Sequence, residues 1–306
     1  MGKKYLLLLL CFITEFGFSQ SEINLNAVVT RGATVIGKGD VFIKSISYGV
    51  FNGTYNSYIL KCSQRGKDID VDAISLGKFC ELEPKSNSLQ DYLNVQNIKS
   101  LYVLSKIQDL KLVRQKMEDD AYKYINELER LGLIIDDPYM ESYIYSLLST
   151  ITPQKRIDGF PYNIKVVIVN DNTMNMGIYP NGTLLVNSGI LARIHTEDEL
   201  VAALAHELGH FISNHALQNV FHAEQVNKKA EVWAAFATMT AAVAEAYMGN
   251  KGYYVDGSMT KSVAILSSAI AAEVKESLGL KFSIEQEEAA DQIAYKILEL
   301  TGRNKN

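Results

Sequence analysis

Two histidines four residues apart, in the string His206-Glu207-Leu208-Gly209-His210, constrain this 306-residue chain more than any other feature. Residues at that spacing share one face of an α-helix. Both imidazoles can therefore grip a single metal ion if the segment is helical. Glu207, one step round the helix, can then address a water bound to that metal. The flanks agree with a helix. Thr196-Glu197-Asp198-Glu199 has the form of a capping box that opens one, and Leu200, Ala203, Leu204, Leu208 and Phe211 make an apolar stripe. The bland alternative is a pair of core histidines on a buried helix. A zinc site is the better reading of the pattern.

A catalytic zinc takes three protein ligands and leaves its fourth position to water. The chain has five histidines, and the spare ones are His195, His215 and His222. A metzincin would need Gly and His where Ser213 and Ala216 stand, so that arrangement is excluded. A glutamate on a second helix is the next option. A thermolysin-like spacing points near Glu231, but Ala235 occupies the place of the aspartate expected four residues later. The stretch Phe282-Ser283-Ile284-Glu285-Gln286-Glu287-Glu288-Ala289-Ala290-Asp291 offers a better candidate. Glu287 and Asp291 lie one helical turn apart, so Glu287 would carry its own supporting carboxylate, able to orient a zinc-bound histidine. Glu288 and Glu285 are rotated from that face by about 100° and about 200°.

The paired motifs, His206 to His210 and then Glu287-x-x-Ala290-Asp291, resemble peptidase family M48. The likeness extends upstream through Val166-Val167-Ile168-Val169-Asn170-Asp171, Asn175, Pro180-Asn181-Gly182-Thr183 and Val186-Asn187-Ser188-Gly189-Ile190-Leu191, in the family's order. It covers roughly residues 136 to 301. The resemblance implies an α+β, zincin-like metallopeptidase domain, mostly helical with a small sheet. It implies one zinc ion held by His206, His210 and Glu287, with Glu207 as general base. It further implies an edge strand near Thr183 to Asn187, to which an extended substrate would add. Two departures stand out. Ile284 replaces an arginine usual in the family, and 19 residues follow Glu287 where relatives continue into a helical region bearing His or Arg side chains. Those side chains contact the transition state. The expectation is that the role is supplied otherwise, that activity is weak, or that the chain is truncated.

The N-terminus bears on the compartment. Lys3 and Lys4 precede an apolar run from Tyr5 to Ile13, and Gly17-Phe18-Ser19 supplies small residues at a cleavage site. Residues 1–19 read as a secretory signal peptide, because the run is far short of the ~20 residues that span a bilayer. A lipoprotein reading on Cys11 fails at Leu10, where a small residue is required. The expected location is periplasmic or secreted. Export permits a disulfide, and Cys62 and Cys80 would close a loop worth ~3 kcal/mol on the chain-entropy estimate. The alternative is two buried thiols.

A net charge of −5 without a basic patch excludes nucleic acid as the expected partner, and 47% hydrophobic residues supply a well-filled core. Residues 20–88 read as a small β-rich domain of five or six strands. Val41-Phe42-Ile43 and Ile46-Ser47-Tyr48 run into Asn52-Gly53, a strong hairpin signal, and strand-like stretches follow from Tyr55 to Cys62 and from Ile69 to Ile74. The domain ends near Pro84-Lys85-Ser86-Asn87-Ser88. Residues 89–133 read as a helical connector. A long helix from about Asn97 to Leu131 carries Ile107, Leu110, Met117, Ala121, Ile125 and Leu128, and Gly132 offers its C-cap. Residues 134–306 are the expected metallopeptidase domain.

Between the metal motifs, Val232 to Ala244 and Ser262 to Ala272 are apolar and Ala-rich. Glu231 and Glu245 bracket 13 residues, below the ~18 of a membrane span. Helices roofing the cleft are the expectation, with peripheral membrane-surface contact as the alternative. Gly249-Asn250-Lys251-Gly252 would be a hinge between them. The sequence therefore predicts a zinc endopeptidase acting on unfolded or extended proteins of a bacterial cell envelope. The alternative is a zinc-stabilised, non-catalytic binding or chaperone-like protein. A deformylase-like hydrolase finds no cysteine ligand motif, and oligomeric state leaves no signal.

Overall fold

A computed structural model describes residues 21–32, 35–51, 55–76, 81–107, 110–153, 164–225 and 282–303. The chain divides into two units, Met1–Lys106 with Pro153–Gly159, and Ile107–Thr152 with Phe160–Asn306. The proposed signal peptide, both Ala-rich stretches, the glycine hinge, Glu231 and the His222 side chain lie outside the described residues. Among the described residues no helix is long and apolar enough to cross a membrane.

In the first unit, alternation of apolar and polar residues builds an antiparallel sheet. Its strands are β1 (Ser21–Arg31), β2 (Gly39–Phe51), β3 (Tyr55–Gln64), β4 (Lys67–Asp72) and β5 (Glu81–Pro84), in the order β4-β3-β2-β1-β5. Leu25, Ala27 and Val29 of β1, Val41 and Ile43 of β2, and Leu60 and Cys62 of β3 are buried at period two. A short helix, α1 (Ala73–Leu76), and a longer one, α2 (Leu89–Leu104), pack on this sheet. The arms of the hairpin read from Asn52-Gly53 pair as far as Phe51 with Tyr55. Residues 52–54 lie outside the described set, as does Cys80, the proposed partner of Cys62.

The long helix expected from about Asn97 to Leu131 is instead two helices. The first ends at Ser105, whose hydroxyl lies 3.2 Å from Ser57 Oγ and accepts from the Tyr58 N–H at 3.4 Å. That tie to β3 fixes the end of α2. A new helix, α3 (Leu110–Arg130), starts in the second unit. It closes where expected, with Gly132 at φ 68° and the Leu133 N–H donating to Leu128 O, a Schellman-type stop.

The second unit holds a four-stranded sheet of β6 (Ile134–Ile135), β7 (Lys165–Val169), β8 (Met176–Ile178) and β9 (Thr183–Asn187), ordered β6-β7-β9-β8. Val166, Val167, Ile168 and Val169 are all buried, the pattern of a strand covered on both faces. The helices around it are α4 (Pro138–Ile151), α5 (Ser188–Leu191), α6 (Glu197–Ile212), α7 (His215–Gln225) and α8 (Ile284–Leu300).

The strand from Thr183 to Asn187 is not the edge. It pairs in parallel with β7, from Lys165↔Thr183 to Val169↔Asn187, and in antiparallel with β8 on its other side. Among the described residues the edges of this sheet are β6 and β8, and β8 is the edge beside β9. The Tyr179 N–H donates to Thr183 O at 2.8 Å, and the Asn187 N–H donates to Asn175 O at 3.1 Å. In an antiparallel ladder bonded pairs alternate, so the backbone groups of Met176 and Ile178 face outward, away from β9.

Candidate metal centre

Helix α6 begins as its sequence requires, with Thr196 Oγ1 accepting from the Glu199 N–H at 3.2 Å. Glu199 reaches back one residue further than a capping box, accepting from the His195 N–H at 2.7 Å. Of the predicted stripe, Leu200, Leu204, Leu208 and Phe211 are buried and Ala203 is half-buried, while Val201, Ala205 and Ile212 also face inward, each large buried member worth ~1.5–3 kcal/mol of transfer free energy. The helix is therefore held in rotation, and His206 and His210 emerge on one side of it. The second helix, α8, starts with a complete capping box. Ser283 accepts from the Gln286 N–H, and the Gln286 side chain accepts from the Ser283 N–H. Ala290, Ile293, Ala294, Ile297 and Leu298 form its buried stripe.

The two helices meet at Gly209, where a Cβ would stand 2.9 Å from both Cα and O of Ala290. No side chain fits there. This close crossing carries Glu287 onto the two histidines. His206 Nε2 and His210 Nε2 lie 3.0 Å apart, and Glu287 Oε2 is 3.2 Å from the first and 3.4 Å from the second. Among the described residues, this is the group of His, Cys, Asp and Glu side chains whose donor atoms converge as a metal site would require. Glu285 instead accepts from Ser283 Oγ at 2.7 Å. Neither it nor Glu288 joins the cluster, and His195 stands outside it.

The outer nitrogens are also engaged. His206 Nδ1 lies 2.8 Å from Asp291 Oδ1, and His210 Nδ1 lies 2.9 Å from Nδ1 of His215. Burial first, then the charge of His206, pushes the His215 imidazole down to about 4. Phe282 stacks on the His210 ring at 3.7 Å between centroids and 17° between planes. Beside it, Ile178, Pro180, Phe211 and Leu217 line an apolar hollow.

This donor set fits zinc. Ligand atoms about 2.0–2.1 Å from a tetrahedral ion lie about 3.3 Å from one another, and the three separations here are 3.0, 3.2 and 3.4 Å. With both Nδ1 atoms facing partners, the two Nε2 atoms and the carboxylate oxygen converge on one point, where a cation would fit. Glu207, next to His206 on the helix, is half-buried. Sequence reasoning had not found the roles of Gly209, His215 and Phe282, or the edge at β8. Of α8's capping box the signal, Ser283-x-x-Gln286, was present.

A sequence model of peptidase family M48 matches residues 142–305. That match covers more than half of the chain, and the chain belongs to this metallopeptidase family. It is also 22% identical over 190 residues to the beta-barrel assembly-enhancing protease of Escherichia coli O157:H7, covering 62% of this chain and 35% of that protein. The chain therefore matches about a third of that relative's length.

Proposed function

We propose that this chain is a zinc-dependent endopeptidase that cleaves unfolded or extended proteins in a bacterial cell envelope. The observation that carries the reading is the convergence of His206 Nε2, His210 Nε2 and Glu287 Oε2 within 3.4 Å of one another. In this reading those atoms are the ligands of one zinc ion, in a zincin-like arrangement. Bound zinc supplies a water acidified towards a pKa of ~7 and polarises the scissile carbonyl. Glu207 takes the proton as the water attacks, then delivers it to the departing amine. Asp291 accepts from Nδ1–H of His206 and holds its Nε2 towards the metal.

The substrate adds as a strand to β8, an edge of the sheet among the described residues, where Met176 and Ile178 present outward backbone groups. The apolar hollow at Phe211, Leu217 and Phe282 is placed to take a side chain next to the scissile bond. The leader-like residues 1–19 and the similarity to a beta-barrel assembly-enhancing protease support the envelope setting. The test is cleavage of a casein-like protein by the purified chain. A chelator should abolish it and zinc should restore it. Full zinc occupancy without turnover would overturn the reading and favour a non-catalytic binder.

A further inference from the structure

We infer that His215 is a positioning residue for the metal centre, an uncharged hydrogen-bond acceptor that fixes the tautomer and ring orientation of His210. The inference rests on the metal-site reading above and extends it to a residue outside the ligand set.

The geometry carries it through proton counting. The Nδ1 atoms of His210 and His215 face each other at 2.9 Å, a separation that needs one proton between them. If Nε2 of His210 is to offer its lone pair to a metal, the His210 proton must sit on Nδ1. Nδ1 of His215 must then accept, which places the His215 proton on Nε2. His206, half-exposed, has a carboxylate partner reaching it from solvent, because the Asp291 side chain is 74% exposed. His210 is 2% exposed. A buried N–H requires a buried acceptor, and His215, 5% exposed, supplies it.

The chain is bent to make this contact. On one continuous helix, residues five apart are rotated by about 140° and do not meet. Here α6 stops at Ser213, and Asn214 adopts φ 56° before α7 begins at His215. Left-handed backbone at a non-glycine residue is uncommon, and Asn tolerates it best. That one reversed residue turns the His215 ring back onto His210. The rings lie 5.0 Å apart at 73°, with Phe282 stacked on the His210 ring. An aromatic face and an edge-on acceptor together fix the imidazole plane.

The test uses the full chain and two shape-matched variants. Asn places an oxygen where His has Nδ1, and Leu places a methyl there. Zinc affinity is measured by competition with a chromophoric chelator, and the cobalt-substituted protein is read by its visible absorption. His215→Leu should bind zinc 10–100-fold more weakly and shift the cobalt bands. His215→Asn should stay close to the unaltered chain on both counts. Equal loss in both variants with the fold intact would show a packing role and overturn the inference. Unchanged affinity in His215→Leu would overturn it too. Independently of any variant, nitrogen NMR of the zinc-loaded unaltered chain should show His215 protonated at Nε2, and a proton on its Nδ1 would contradict the assignment. Failure of the unaltered chain to bind zinc would remove the metal-site reading and this inference together.

Discussion

Gly209 and Ala290 touch backbone to backbone: the Cα and O of Ala290 each lie 2.9 Å from where a Cβ on Gly209 would be. Gly209 precedes a histidine of the cluster, and Ala290 lies three residues after Glu287. Their contact sets how deeply the glutamate helix seats on the histidine helix.

Gly209→Ala should therefore force the two helices apart, because the obstacle is backbone rather than a movable side chain. Overpacking of this kind costs ~1–3 kcal/mol. Zinc affinity should fall with it, since Glu287 withdraws from His206 and His210. Thermal melting and a zinc titration check both. A variant that melts and binds like the unaltered chain would show that the helices slide freely.

The three neighbouring glutamates should separate cleanly. Glu287→Ala should lose zinc and cleavage together, because its oxygen lies 3.2 Å and 3.4 Å from the two imidazole nitrogens. Glu285→Ala and Glu288→Ala should keep both. Asp291→Ala should weaken zinc binding or activity by ~10–100-fold through His206. Loss of zinc in Glu288→Ala alone would reassign the ligand.

Which parts were legible in the sequence follows from the range of the interactions involved. Helical periodicity and capping are local, so the rotation of α6 and the one-turn spacing of Glu287 and Asp291 could be read directly. The hairpin flanking Asn52-Gly53 was readable for the same reason. The helix predicted from about Asn97 to Leu131 failed because Ser105 bonds to Ser57, 48 residues away, and propensity does not see such a partner. The edge was misplaced at Thr183 to Asn187 because strand order depends on the parallel pairing of β7 with β9. Apolar alternation alone assigns no neighbour. His215 was noticed only as a spare histidine, since its meeting with His210 depends on the reversed φ at Asn214.

A substrate that adds to β8 should show a period of two in its backbone requirements. Bonded residues alternate along an added strand, so N-methylation should slow cleavage at every second position. Each lost bond is worth ~1 kcal/mol, or about fivefold in kcat/KM. A peptide series methylated one amide at a time checks this. Uniform sensitivity, or none, would exclude strand addition.

Arg303 ties the end of α8 to the start of α6, with Nη1 2.5 Å from Glu197 Oε1 and 3.2 Å from Asp198 Oδ1. Its hydrogen bond, then that of Tyr143, holds the Glu197 carboxyl below its ordinary value of 4.5. A carboxylate lowered on folding stabilises above its unfolded pKa, and that contribution is lost as the pH falls through the folded value. Arg303→Gln should raise the Glu197 midpoint in a carbon NMR titration and remove part of the acid-side loss of stability. An unmoved midpoint would show that the pair is broken in solution.

The central claim is that zinc held by His206, His210 and Glu287 works with Glu207 as general base. Glu207→Gln tests it most directly, because the amide keeps the side chain's shape but cannot take up the proton. Zinc content and proteolysis are measured on the same preparation. The account predicts one zinc ion per chain, bound as in the unaltered protein, and no cleavage of an unfolded substrate. Cleavage at the unaltered rate with zinc in place would contradict it.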